Sequence, residues 1–196
     1  MVLIAGFHFF IIRNVSVSSS KVMVDVDEFE LKNPSLKIDL AIKADAKVFM
    51  KKLLGQWSDR EPLKIEEWLE RCQNWKKKYP VVLPEYKNLK GSVNSFQFID
   101  SLSSHLDEKA VVVTDMGTSF TCTMQTFKTQ LGQRLFTSSG HASMGFGLPG
   151  AIGACVGNGR KDTICISGDG GLQMNIQELQ TLVHYNLPIK LFVLNN

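Results

Sequence analysis

The stretch that decides the fold is ISGDGGLQMNIQELQTLVHYNLPIKLFVLNN, residues 166–196, together with the apolar residues just before it. An apolar run over residues 163–166 leads into a glycine turn at residues 168–171. An amphipathic segment at helical spacing follows, and Pro188 restarts the chain into a β-type run that ends at Leu194. Strand, glycine turn, helix and strand form a βαβ unit, whose crossover brings the C-terminal ends of both strands to one edge of the sheet.

Two oxygen-bearing side chains follow the strands of this unit. Asp169 comes after the first strand and Asn196 after the second, so we expect them side by side although they lie far apart in sequence. Carboxylate and amide oxygens beside a helix N-terminus suit a small hard cation that carries a phosphorylated ligand. The sequence therefore predicts an anion and metal site at this corner.

The alternation of strands and helices is regular over residues 91–196. We predict helices at residues 95–106 and 144–156, and strands at residues 110–114 and 134–137. The small-residue composition of residues 144–156 predicts close packing against a sheet or another subunit. Four strand ends then present four loops on one edge, where open α/β sheets bind ligands: Thr114, Thr137, Ser167 and Leu194. In the first of these loops, Thr118 and Ser119 are predicted to cap the next helix and to offer hydroxyls to an anion.

The residues upstream divide into two further parts. Residues 1–55 are interpreted as the closing part of an α/β domain, with strands at residues 1–12, 21–26 and 37–42 and a helix at residues 44–54 that Gly55 ends. Residues 56–90 are polar and are interpreted as an interdomain connection. They contain a predicted helix at residues 65–78 whose tryptophans share one face, which we interpret as packing against a neighbouring domain. Because the chain opens on a strand and stops at the end of another, we expect it to be a fragment of a longer protein.

Composition and charge restrict the class of protein. A net charge of +3 without a basic stripe argues against nucleic-acid binding, and an apolar fraction of 44% with a charged fraction of 21% is ordinary for a globular protein. The apolar N-terminal run lacks the flanks of a signal peptide and is too short to span a bilayer. The four cysteines lack C-x-x-C spacing, which favours a reduced, cytoplasmic protein. We expect no membrane association.

One motif favours a different class of protein. Residues 145–150, GFGLPG, fit the G-x-G-x-x-G fingerprint of dinucleotide-binding oxidoreductases. That fingerprint should follow a hydrophobic strand directly, whereas here a polar loop intervenes. We therefore interpret the glycines as helix packing, and we keep an NAD(P)-dependent oxidoreductase as an alternative.

The same residues carry a family resemblance. Gly168-Asp169-Gly170, followed by a helix and a strand that ends in Asn195-Asn196, is similar to the thiamine-diphosphate motif. The segments SMGFGLPGAIGA (residues 143–154), GDGGLQMNIQELQTLVHYNLPIKLFVLNN (168–196) and KVMVDVDEFELKN (21–33) resemble the large catalytic subunit of acetolactate synthase and its near relatives. The resemblance implies an incomplete thiamine-diphosphate-binding fold of parallel sheets with helices on both faces, at residues 91–196, preceded by the end of a central domain.

The resemblance also implies a set of site residues. Asp169 and Asn196 would bind Mg²⁺, which bridges the diphosphate. The other implied cofactor contacts lie in three loops: Met116, Gly117 and Thr118; Ala142, Ser143 and Met144; Gly168, Gly170 and Gly171. In the second loop, the Ala142 carbonyl and the bulk of Met144 would hold the aminopyrimidine and keep the cofactor bent.

The implied activity is the decarboxylation of a 2-keto acid such as pyruvate, followed by carboligation, in a homo-oligomer. FAD occurs in some relatives, but no residue of this chain signals it. The glutamate that activates the pyrimidine would come from a domain that nothing here matches, so we expect no catalytic residue and no activity in these residues alone. Thr118-Ser119-Phe120 stand where acetolactate synthases carry Gln and His, which leaves a related enzyme for another 2-keto acid open. A non-catalytic scaffold is a further alternative.

Overall fold

The computed structural model describes residues 2–5, 20–32, 37–57, 61 and 64–195. They form two compact units, residues 1–66 and residues 67–196. The division predicted at residues 55 and 90 stays a prediction. Residues 6–12 of the predicted first strand, and Asn196, lie outside the described residues.

The first unit contains a parallel three-stranded sheet. Its strands are β1 (Val2–Ala5), β2 (Lys21–Asp25) and β3 (Leu40–Lys43), in the order β1-β2-β3. Two helices, α1 (Glu28–Lys32) and α2 (Ala46–Trp57), complete its described part. Parallel strands alternating with helices confirm the predicted α/β class here.

Two details of this unit differ from the sequence-based expectations. The strand predicted from residue 37 begins at Leu40. Asp39, the residue before it, makes the first hydrogen bond to the sheet: its N–H donates to the Lys21 carbonyl at 3.0 Å. The helix predicted to end at Gly55 continues to Trp57. Gly55 lacks the positive φ that ends a helix, so it lies inside α2 as an ordinary helical residue.

The second unit is a regular βα alternation. In chain order it contains α3 (Glu66–Lys78), a 3₁₀ helix (Pro84–Asn88), α4 (Ser95–His105), β4 (Val111–Thr114), α5 (Thr118–Thr126), β5 (Arg134–Phe136), α6 (Gly147–Gly157), β6 (Thr163–Gly168), α7 (Asp169–Met174), α8 (Glu178–His184) and β7 (Ile189–Leu194). The four strands are parallel and lie in the order β5-β4-β6-β7. The predicted parallel sheet, with its strand ends at one edge, is therefore confirmed.

Helices cover both faces of this sheet. On β4 and β6, Val112 and Ile164 pack in one cluster with α4, α5 and neighbouring side chains. The next residue on each strand, Val113 and Cys165, packs in a second cluster with Ala151 of α6. Because successive strand residues point to opposite faces, the two clusters lie on opposite sides of the sheet. Strands covered on both faces read as continuous apolar runs, which explains VVVT and TICI.

The amphipathic segment after the glycine turn is two helices rather than one. α7 ends at Met174, and α8 begins at Glu178 after a turn. Asn175 adopts φ −136° and ψ 36°, outside the helical region, and its side-chain amide donates to the Gly145 carbonyl at 2.9 Å. A long-range side-chain bond therefore accompanies an interruption that the apolar periodicity does not show.

The tryptophan-bearing helix α3 keeps an uncovered face. Trp68 and Trp75 are 55% and 44% exposed and contact each other edge to face, with ring centroids 5.8 Å apart. Packing of this face against a neighbouring domain stays a prediction. No helix within the described ranges has both the length and the apolar character that a membrane span requires.

Candidate functional site

The site predicted between β6 and β7 lies at the edge of the sheet where the C-terminal ends of the strands meet. The register pairs Gly168 with Leu194, so the two strands end side by side. Asp169 follows at once as an exposed residue, and across the described residues no hydrogen bond or ion pair engages its carboxylate. Asn195 is also exposed, whereas the position of Asn196 stays a prediction.

The first loop comprises residues 115–117, between β4 and α5. Gly117 has φ 76° and ψ −139°, a region open only to glycine, and it is the N-cap of α5. The predicted side-chain cap is wrong: Thr118 and Ser119 lie inside the helix, and no side-chain hydrogen bond caps it. The buried Ser119 hydroxyl donates to the Met116 carbonyl at 2.9 Å. It therefore stabilises the backbone of the first loop and is not exposed to an anion.

The second loop, residues 137–146, runs from β5 to α6. Ala142, Ser143 and Met144 are exposed, and α6 begins at Gly147 rather than at the predicted residue 144. Ala142 has a positive φ of 54°, which is strained for a residue with a Cβ, and its N–H donates to the Ser138 carbonyl at 2.7 Å. Such strain clusters at functional positions.

The predicted glycine turn, residues 168–171, is the end of β6 and the first turn of α7 rather than a separate loop. We call this stretch the third loop, and it lies against the second. A Cβ built on Gly145 would be 2.7 Å from the Met174 Cβ, so the second loop packs directly on α7. A Cβ on Gly170 would be 3.7 Å from the Met144 Cε. The predicted residues of the second and third loops are therefore neighbours in space, although the sequence separates them.

Asp115 is a residue that the sequence-based site omitted. It follows β4 and is only 1% exposed. Its carboxylate accepts four hydrogen bonds, from the N–H groups of Met116 (2.7 Å), Gly145 (3.0 Å) and Gly147 (3.2 Å) and from the Ser167 hydroxyl (3.0 Å). These donors belong to all three loops or to the residues beside them. The available signal was an acid placed directly after the apolar run AVVVT.

The glycines of the apparent dinucleotide fingerprint bind Asp115 and allow close packing. The N–H groups of Gly145 and Gly147 are bound by Asp115. A Cβ on Gly150 would meet the Phe146 ring at 2.9 Å and the Val113 side chain at 3.2 Å. The motif therefore serves helix packing and loop fixation, as the packing interpretation predicts.

The buried charge of Asp115 also affects a nearby thiol. Burial, and secondarily the negative charge of Asp115, raise the pKa of Cys165 to about 12. This thiol is fully buried and stays protonated at neutral pH. Cys165 is therefore a packing residue next to the site and not a nucleophile.

Comparison with known proteins identifies the domain that carries these loops. The family described as "Thiamine pyrophosphate enzyme, C-terminal TPP binding domain" matches residues 115–196, from the buried aspartate through all three loops to the end of the chain. Residues 115–196 are similar to this cofactor-binding domain. The match agrees with the predicted fold family and supports the predicted binding of thiamine diphosphate.

Similar curated proteins cover most of the chain. An acetolactate synthase large subunit from Cyanidium caldarium is 37% identical over 177 residues, which cover 88% of this chain. The acetolactate synthase isozyme 1 large subunit of Escherichia coli is 31% identical over 176 residues. A probable acetolactate synthase large subunit from Methanococcus aeolicus is 29% identical over 201 residues, or 94% of the chain. The aligned parts span 29 to 33% of these relatives, so the thiamine pyrophosphate enzyme domain and its upstream unit correspond to part of their length.

Proposed function

We propose that this chain supplies the cofactor-binding part of a thiamine-diphosphate- and Mg²⁺-dependent enzyme that decarboxylates a 2-keto acid and joins the product to a second carbonyl compound. The observation that carries the proposal is the edge at which the matched domain presents its loops, with the Asp169 carboxylate unengaged beside the end of β7. The similarity to acetolactate synthase large subunits favours pyruvate as the 2-keto acid.

The residues at this edge fit the magnesium ion and the diphosphate. Asp169 offers an exposed carboxylate, and Asn196 is the proposed second ligand at the end of the neighbouring strand. No group of three or more acidic, His or Cys side chains gathers in the described ranges, so one carboxylate would act with an amide and the diphosphate oxygens. This ligand set suits Mg²⁺, which binds through one or two carboxylates together with phosphates.

The other loops fit the organic part of the cofactor. In the first loop, glycine at residue 117 leaves the backbone open for close approach beside Met116 and Thr118. In the second loop, the Thr137 hydroxyl oxygen is buried without a hydrogen-bond partner in the described part of the chain, which leaves a polar group for a ligand. The Ala142 carbonyl, Ser143 and the exposed Met144 would hold the aminopyrimidine.

The protein and the cofactor divide the work. Thiamine diphosphate supplies the electron sink for the loss of carbon dioxide from a 2-keto acid. The residues of this chain bind and orient it: Asp169 and Asn196 through the metal, Gly168, Gly170 and Gly171 through the backbone near the diphosphate, and Met144 from the second loop. The acid that activates the pyrimidine and the groups that select the substrate are proposed to lie in other parts of a homo-oligomeric enzyme.

The experiment uses the complete gene product with Mg²⁺, thiamine diphosphate and pyruvate, and it measures carbon dioxide and acetolactate. We expect Asp169→Asn to abolish cofactor binding and product formation. Asp162→Asn is the matched control, because Asp162 precedes the same strand at its opposite end and pairs with Lys190. Equal loss in both variants, or a wild-type protein that binds the cofactor without Mg²⁺, would contradict the proposal.

A second candidate is a related enzyme that acts on another 2-keto acid. Thr118-Ser119-Phe120 favour it, because they replace residues that acetolactate synthases carry. They begin α5, and only Gly117 separates them from Met116 of the site. A panel of 2-keto acids in the same assay separates the two candidates. Cofactor binding without turnover of any member would instead support the non-catalytic scaffold.

A further inference from the structure

The carboxylate of Asp115 is buried, and its polar partners are uncharged hydrogen-bond donors. Oδ1 accepts from Met116 and Gly145, and Oδ2 accepts from Gly147 and Ser167. No salt bridge to Asp115 is found in the described part of the chain. A buried carboxylate normally needs a cation or several hydrogen bonds, because removal from water is costly. Here four donors provide that compensation. They come from Met116 in the first loop, from Gly145 and Gly147 at the end of the second loop and the start of α6, and from the Ser167 side chain in β6.

Two glycines are required by the close approach of this carboxylate. A Cβ on Gly171 would lie 2.7 Å from the Asp115 Oδ2, and a Cβ on Gly147 would lie 2.9 Å from the Asp115 Cβ. Real Cβ atoms do not approach this closely, so any side chain at Gly171 would push the third loop away from the first. The contact explains why residue 171 is a glycine, since a backbone role near the diphosphate would not by itself require one.

The second loop is held from both sides at one residue. The Gly145 N–H donates to Asp115, and the Gly145 carbonyl accepts from the Asn175 side chain at 2.9 Å. Gly145 has φ 86°, and it directly follows Met144. The peptide that carries Met144 is thus fixed to the first loop through Asp115 and to the end of α7 through Asn175.

We propose that Asp115 is a positioning residue of the cofactor site, which sets the three loops in their relative places without touching the ligand. This inference rests on the proposed function. Met116 and Gly171 are themselves proposed to contact the cofactor, and Gly145 and Ser167 each lie next to such a residue, so a shift at Asp115 moves all three sets of contacts together. Residues that hold the ligating groups of a site in place commonly affect affinity by about 10- to 100-fold.

The test compares Asp115→Asn with Cys165→Ala in the complete gene product. The asparagine keeps the size of the side chain but presents an NH₂ group to donors, whereas Cys165→Ala removes a buried core sulfur from the neighbouring strand and leaves the donors unchanged. Two quantities are measured for each variant: the melting temperature by thermal unfolding, and the dissociation constant of thiamine diphosphate by isothermal titration calorimetry at saturating Mg²⁺. We expect both variants to melt earlier, and only Asp115→Asn to weaken cofactor binding, by roughly tenfold or more.

The outcomes separate this inference from the proposed function. Wild-type protein that fails to bind the cofactor would overturn both. Wild-type binding with an unchanged dissociation constant in Asp115→Asn would overturn the positioning role alone, as would an equal weakening in Cys165→Ala. If Asp115→Asn does not fold, Ser167→Ala decides, because it removes one of the four donors to the Asp115 carboxylate. Weaker cofactor binding in Ser167→Ala supports the role, and unchanged binding overturns it.

Discussion

Two aspartates that follow neighbouring strands have opposite surroundings. Asp115 comes after β4, is 1% exposed and accepts four hydrogen bonds. Asp169 comes after β6, is exposed, and within the described ranges has no partner for its carboxylate. Each lies in a strand-to-helix turn at the same edge of one parallel sheet. The two βα units therefore carry the same side chain after the strand, but the protein binds the carboxylate of Asp115 and leaves the carboxylate of Asp169 available.

The difference indicates how a ligand site is built at this edge. Asp115 uses its charge to fix backbone, so it can hold loops but has no free lone pair directed to a metal. Asp169 keeps its charge available, at the cost of contributing little to folding. Substitution of Asp115 should consequently lower both stability and cofactor binding, whereas substitution of Asp169 should lower cofactor binding alone.

The largest expected effect is on folding. Asp115→Ala leaves four donors without their acceptor in a buried place, so we expect a loss of about 3 kcal/mol or more in the free energy of unfolding. Asp169→Ala changes an exposed, unengaged side chain and should stay within about 0.5 kcal/mol of the wild type. Urea denaturation followed by circular dichroism measures both. Equal stability of the two variants would remove the basis of the comparison.

The second expected effect is on the pH dependence of stability, through the raised pKa of the Cys165 thiol. The unfolded thiol ionises near its ordinary pKa of 9.0, whereas burial and Asp115 raise the folded pKa to about 12. The unfolded state therefore releases a proton between pH 8 and pH 10 that the folded state retains, and stability falls as pH rises. We expect a loss of roughly 1 kcal/mol over this interval.

The control for this pH effect is Cys165→Ala, which removes the thiol while the other titrating groups remain. The wild type should lose more stability than the variant between pH 8 and pH 10 when denaturation is measured at both values. The same pH dependence in both proteins would show that the buried thiol does not carry the effect.

The smallest expected effect concerns strain in the second loop. Ala142 has φ 54°, a conformation that costs a residue with a Cβ about 1 kcal/mol and glycine almost nothing. Ala142→Gly relieves this strain but adds freedom to the unfolded chain, so we expect a net gain of roughly 0.5 kcal/mol. Ala151→Gly, inside α6, is the matched control and should destabilise by about 1 kcal/mol. A loss of stability in Ala142→Gly like that in the control would contradict the strain assignment.

The sequence predicted the second unit well because its signals are local. Continuous apolar runs marked β4 and β6, since both faces of these strands are buried. Pro188 and the helical spacing before it marked the crossover to β7. The break at Asn175 was not predictable in this way, because the side-chain bond that accompanies it reaches Gly145, which lies 30 residues earlier.

The site was predictable only where a motif names its residues. Asp169 and the glycines beside it stand in a recognisable pattern, and the structure places them at the expected edge. Asp115 was missed because three of its four partners lie 30 to 52 residues away and no short pattern connects them. Ser119 was assigned to a helix cap because serine is frequent there, whereas burial turned its hydroxyl to the Met116 carbonyl.

The most direct test of this account is the shift in melting temperature that Mg²⁺ and thiamine diphosphate together produce in the complete gene product. It is measured for the wild type, Asp169→Asn and the control Asp162→Asn. We predict equal melting temperatures for the wild type and Asp169→Asn without ligand, and a ligand-induced rise in the wild type and Asp162→Asn that is absent in Asp169→Asn. A full rise in Asp169→Asn would contradict the claim that the exposed aspartate holds the metal.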